Sequence, residues 1–198
     1  MRVRTVVIFS FIMVVLTAVI AQTPIKKYDI KSGIITYEMV MKVGTMEMKN
    51  KIVVYFDDYG MKECKDTYQG DKIEQSYFSD GKELYAVKLA KKMAFKQGTA
   101  SRGTELRVEW SEFGTAEDRQ SGKFKKLPAI TVAGKSCEVF EYNDGKGGIT
   151  KYGGWNKILM LLDTQMMGTH TIQRAVKVEE NVNVSPEKFK VPAGFTVQ

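Results

Sequence analysis

From Gly33 to Lys96 apolar and polar residues alternate, and the alternation breaks at Gly44, at Asp57-Asp58-Tyr59-Gly60, at Gln69-Gly70-Asp71 and at Ser79-Asp80-Gly81. Alternation places apolar side chains on one face of an extended segment, and Gly and Asp supply the backbone angles that reverse it. The pattern predicts successive antiparallel strands over 33–43, 46–56, 61–69, 72–78, 82–88 and 92–96. A polar, turn-rich stretch over 114–128 reads as loop or a short helical turn. Strands resume over 129–133, 135–142, 149–152, 156–162 and 169–179, with a tight hairpin turn at Asp144-Gly145. Ser185-Pro186 opens a further helical turn.

One segment keeps a different period. Leu106, Trp110 and Phe113 recur at i, i+4 and i+7, which places them on one stripe of a helix over 105–113, with Thr104 as cap and Gly114 as terminator. No internal repeat or low-complexity tract interrupts the chain. The expected fold is one domain, mostly antiparallel β with one or two helices.

The first two strands carry Met39, Met41, Met46 and Met48 around Gly44. A turn centred on Val43-Gly44 sets Met41 opposite Met46, Met39 opposite Met48, Ile35 opposite Ile52 and Tyr37 opposite Asn50. All four methionines then share a face with Ile52, Val54 and Phe56, while Glu47, Lys49 and Lys51 point away, and a slip by one residue would invert this. Such a face serves a core equally well. Flexible, polarisable methionine, however, suits a pliable wall that meets varied apolar partners. A Cu(I) ion is the sharper alternative, because thioethers favour it, although no His or Cys in the hairpin reinforces such a site.

The N-terminus changes the setting. Arg2 and Arg4 precede an apolar run from Val6 to Ile20, and Val19 and Ala21 are small residues placed for a signal peptidase. The run is about 15 residues long, short of the about 20 that a spanning helix needs. Residues 1–21 are therefore expected to be a cleaved signal peptide, and residues 22–198 a single domain, soluble in the periplasm or secreted. Removing Arg2 and Arg4 lowers the formal charge from +7 to +5. Acids and bases are interspersed, which argues against a nucleic-acid footprint. The denser basic stretches, Lys88/Lys91/Lys92 and Lys123/Lys125/Lys126, suit an anionic membrane surface.

Candidate chemistry is sparse. Cys64 and Cys137 are the two cysteines, and in an oxidising compartment they either form one disulfide or remain separate buried thiols. With His170 the one histidine, no Ser-His-Asp, Cys-His or multi-His set can be assembled. Asp57 and Asp58 sit in a turn as solvated acids. Asn143-Asp144-Gly145-Lys146-Gly147-Gly148 lacks the acidic spacing of a calcium loop and the helix start of a phosphate loop. No enzyme activity, resident metal or cofactor is expected.

Four stretches together resemble a known group: IKSGIITYEM at 30–39, VVYFDDYGMKE at 53–63, VAGKSCEVFEY at 132–142, and VEENVNVSPEKFKVPAGF at 178–195. The chain resembles exported bacterial proteins of unknown function related in fold to the periplasmic lipoprotein carriers of the LolA/LolB type. The resemblance implies an incomplete, curved antiparallel β-barrel whose concave apolar side is covered by helix and, in the carriers, receives acyl chains. It would make Met39, Met41, Met46, Met48, Ile52, Val54 and Phe56 a ligand wall, and Leu106, Trp110 and Phe113 a lid. The carriers' functional arginine has no counterpart in the N-terminal strands, and no lipobox cysteine is present. The expectation is a non-enzymatic protein holding a lipid or other apolar molecule. An envelope interaction domain that binds another envelope protein and no small ligand is the alternative.

Overall fold

The computed structural model describes residues 26–99 and 114–198. Twelve strands follow in chain order: β1 (Gly33–Val43), β2 (Met46–Asp57), β3 (Lys62–Gln69), β4 (Lys72–Asp80), β5 (Glu83–Lys88), β6 (Met93–Thr99), β7 (Phe124–Val132), β8 (Lys135–Asn143), β9 (Ile149–Trp155), β10 (Ile158–Met166), β11 (Thr169–Glu180) and β12 (Thr196–Val197). They form one sheet, ordered β12-β6-β5-β4-β3-β2-β1-β11-β10-β9-β8-β7. Two antiparallel meanders, β1–β6 and β7–β11, are joined edge to edge by the β1–β11 pairing, and β12 adds in parallel to β6. β12 and β7 are the two free edges, so the barrel is incomplete. The sheet curls strongly enough that β7, four places from β11, touches it through Arg174 Nη2, which donates to the Thr131 carbonyl at 3.0 Å, and Lys135 at the start of β8 pairs with Glu180.

The mostly antiparallel open half-barrel is the expected fold class, and most strands begin and end within two residues of the expected positions. Local differences have local causes. The stretch over 114–128, expected as loop or a short helical turn, holds a short helix, α1 (Ala116–Gln120), opened by a capping box in which Thr115 and Asp118 exchange hydrogen bonds. It then enters β7 at Phe124, because a bulge between Leu127 and Ile130 accommodates Pro128 without breaking the pairing with β8. The expected tight turn at Asp144-Gly145 is instead a five-residue loop, in which Asp144 Oδ1 accepts from the amides of Lys146 and Gly148 at 2.7 and 2.8 Å. The helix expected over 105–113 lies outside the described residues.

The hairpin of β1 and β2 turns on Gly44-Thr45, not on Val43-Gly44, and this corrects the expected register. Met41 faces Met48, Met39 faces Asn50, Ile35 faces Val54 and Tyr37 faces Ile52. The shift is by two residues, so parity survives and the four methionines still share one face.

Two apolar clusters lie on opposite faces. The larger joins Ile35, Tyr37, Ile52, Val54 and Phe56 with Phe140, Met160 and others from the second meander. An N-terminal arm of residues 26–32 closes its lower end. The amides of Lys27 and Tyr28 donate to the Tyr59 carbonyl, and Asp29 N reaches Asn156 O at 3.2 Å. Tyr28 is fully buried, edge-on to Phe56 with ring centroids 5.0 Å apart. Its ring lies over Gly60, where a Cβ would come within 2.4 Å and where φ is +83°, so glycine is required on both counts.

The smaller cluster is built by the C-terminal strap. Val184 and Phe189 lie against Cys64, Phe78, Val87 and Ala94 on the other face of β3–β6. The helical turn expected at Ser185-Pro186 is a 3₁₀ turn, Pro186–Phe189, with Pro at its start.

Candidate functional site

The hollow above the larger cluster is the candidate site. It has a volume of about 820 Å³ and is bordered by one face of seven neighbouring strands, from Gln173 on β11 to Phe95 on β6. Strands sit about 4.8 Å apart, so seven can border one hollow only where the sheet is concave. Register places the walls: Val54, Lys65, Tyr77, Ala86 and Phe95 are opposite one another in succession across β2–β6, and Gln173, Met39 and Asn50 across β11–β1–β2. Met39, Ile52, Tyr77, Ala86 and Phe95 supply apolar lining; Thr67, Gln75, Gln97 and Glu74 supply polar lining.

Two polar groups in this wall have unused capacity. Gln173 is 7% exposed, and its Nε2 is buried with no hydrogen-bond partner among the described residues. A buried donor left unpaired in this way costs roughly 1–3 kcal/mol. Lys65 projects into the hollow with no ion-pair partner among the described residues. Lys88, at the upper rim, lies over the Phe95 ring at 5.3 Å.

Below the hollow is a buried charge pair. Lys27 Nζ is paired with Glu63 Oε2, which also accepts from Tyr28 OH at 2.7 Å. Tyr37 donates to the Leu159 carbonyl at 2.9 Å, and burial first, then the negative charge of Glu63, push its phenol well above the ordinary value. These groups lie at the closed end, where they fix the arm.

The expected wall residues divide. Met39 and Ile52 line the hollow. Met41 is half-buried one step toward the hairpin tip, and Met48 and Met46 are exposed at 53% and 66%. Val54 and Phe56 are buried in the core at the closed end. Leu106, Trp110 and Phe113 lie outside the described residues. Tyr77, Ala86, Phe95, Lys65 and Gln173 were not anticipated. Their strands were legible, but their place on the methionine face depends on pairing between strands distant in sequence, Gln173 beside Met39 above all.

Cys64 and Cys137 are free thiols and both are buried, Cys64 in the smaller cluster and Cys137 in the larger. Burial, then the charge of Asp66, push the Cys64 thiol up to about 12. Asp66 accepts from Ser76 Oγ at 2.7 Å and from Lys188 Nζ of the strap at 3.1 Å. His170 Nε2 lies 2.8 Å from Asp163 Oδ1. Among the described residues, no cluster of three or more His, Cys, Asp or Glu side chains is arranged to hold a metal ion, and no helix is long and apolar enough to cross a membrane.

No protein-family model matches the sequence, and no curated protein matches it. Among solved structures, the chain is similar to an uncharacterised conserved protein from Thermus thermophilus, with 6% identity over 85% of this chain and 90% of that one, and a TM-score of 0.54. Weaker likenesses are to MucB, 11% identical over 87% of this chain and 62% of that one with a TM-score of 0.48, and to a LolA superfamily protein from Nitrosomonas europaea, 9% identical over 83% and 94% with a TM-score of 0.42. At such identities the likeness is one of fold, and the Thermus protein shares this chain's open antiparallel half-barrel.

Proposed function

We propose that the protein is an exported, non-enzymatic binding protein that holds a lipid acyl chain or another apolar molecule in the concave hollow. The observation that carries this reading is the hollow itself. Its about 820 Å³ falls within the roughly 300–1,000 Å³ of small-molecule sites, and Met39, Ile52, Tyr77, Ala86 and Phe95 supply dispersion contacts along it. Gln173 Nε2 and Lys65 favour a ligand that also carries a hydrogen-bond acceptor or a negative charge.

Two measurements test it. Protein purified from its native host is extracted and analysed by mass spectrometry for bound lipid, and purified protein is titrated with a fluorescent fatty-acid analogue. Ala86→Trp places an indole in the hollow and is expected to weaken analogue binding by about tenfold or more with the fold retained by circular dichroism. No co-purified lipid together with no analogue binding overturns the proposal. The polar lining at Glu74, Gln75 and Gln97 favours the second reading, an interaction domain without a small ligand. That reading predicts a protein partner in an envelope pull-down and no response to Ala86→Trp.

A further inference from the structure

We propose that the two hairpin tips at the open end form a docking surface for an anionic phospholipid bilayer. The β1–β2 and β10–β11 turns are neighbours because β1 pairs with β11 along its full length. Met46, Val43, Thr169 and Met166 lie opposite one another in succession across four strands, so they share one face at the rim. Met46 is 66% exposed, Met166 52% and Met167, at the tip of its turn, 96%.

Nothing among the described residues explains this exposure. A methionine withdrawn from water is worth about a factor of ten or more in an equilibrium constant, and these face solvent together. Turn chemistry does not explain Met167 either. Met167 and Gly168 both have positive φ, 50° and 75°, a two-residue turn in which Asn-Gly is favoured and an unbranched apolar residue is not. Both backbone preference and solvation argue against methionine at this position, so an apolar environment outside the described residues accounts for it.

Charge and continuity identify that environment. Beside the methionines, on the opposite face of the hairpin, Lys42 and Lys49 share a single acid, Glu47. The other turns at this end carry Lys72, Lys91, Lys92 and Lys146 against Asp71 and Asp144. An apolar tip ringed by lysine matches a membrane interface with anionic headgroups. The methionines also continue downward along β1. Met48 opposite Met41 forms the next row below the rim, and Met39, which lines the hollow, follows. Docked at its tips, the protein presents the bilayer with a methionine ramp into the concavity. Docking rests on the exposed tips and does not require that the hollow hold a ligand.

The test is co-sedimentation of the purified protein with vesicles of phosphatidylcholine containing phosphatidylglycerol, against vesicles of phosphatidylcholine alone. The wild type is expected to bind the anionic vesicles and to bind the zwitterionic ones more weakly. Met46→Ser/Met167→Asn is expected to lower the partition coefficient by about tenfold or more. Since Asn-Gly suits the turn, this variant keeps its thermal midpoint, and its binding of the fatty-acid analogue is unchanged. Ala86→Trp, conversely, keeps vesicle binding. No sedimentation of the wild type, or equal sedimentation of wild type and tip variant, overturns the proposal. Self-association of the wild type that the tip variant abolishes also overturns it, because the tips then serve a second copy of the chain.

Discussion

Glu63 carries the most concentrated cost in the described chain. Its carboxylate is 1% exposed, Oε2 takes both the Lys27 ammonium and the Tyr28 hydroxyl, and Oε1 has no partner among the described residues. Desolvating both ions offsets most of their attraction, so the pair adds little net stability, yet either partner alone is expensive. Glu63→Ala removes the carboxylate that pairs with the buried Lys27 ammonium and is expected to destabilise the fold by about 3–5 kcal/mol, read as a lower midpoint in urea denaturation. Lys27→Met/Glu63→Leu removes both charges and should recover most of that loss. A double variant as unstable as the single one would show that the arm depends on the ion pair itself and not on the packing of Tyr28.

At the scale of elements, the strap that follows β11 is pinned at its middle by Lys188 and Asp66, between the Ser32 Oγ bond to the Val182 carbonyl at one end and the pairing of β12 with β6 at the other. Lys188, about a third exposed, reaches the nearly buried Asp66, and Phe189 and Val184 fill the space over Cys64. Lys188→Ala leaves Asp66 Oδ2 short of its partner at a cost of about 1–3 kcal/mol, and that loss falls on strap closure first. Cys64 should therefore react with a maleimide at pH 7.5 roughly tenfold faster in the variant, while Cys137, in the other cluster, keeps its rate. Peptide mass spectrometry separates the two sites. Equal acceleration at both thiols would mean that the substitution loosens the whole domain and that the strap has no independent opening.

For the molecule as a whole, the sheet order governs which residues can meet. β3 and β8 are six places apart in the sheet, and their cysteines lie in different clusters. A disulfide needs Cα atoms within about 4.4–6.8 Å, and no local adjustment brings two strands so separated together. Protein kept under oxidising conditions is thus expected to retain two thiols, both alkylated after denaturation without reductant. A mass showing an intramolecular bridge would contradict this topology. The same order sets the polarity of the half-barrel. The Tyr28 arm seals one end, and the methionine tips mark the other.

Strand positions were legible along most of the chain because alternation and turn residues act over a few neighbours. β1, β2, β4 and β11 begin at or within a residue of their expected starts. The common face of Met39, Met41, Met46 and Met48 was legible for a stronger reason: side chains alternate with period two, so the register error of two residues left every one of them on the same side. What only the tertiary structure decided depends on residues distant in sequence. The choice of Gly44-Thr45 as the turn lowered Met46 and Met48 from an expected wall to an exposed tip. The pairing of β1 with β11 brought Met166 and Met167 beside them and Gln173 beside Met39. Val54 and Phe56 share the methionine face, but the arm with Tyr28 closed over their end and made them core. Period and punctuation are properties of neighbouring residues. Depth along a shared face is set by what the rest of the chain brings to cover it.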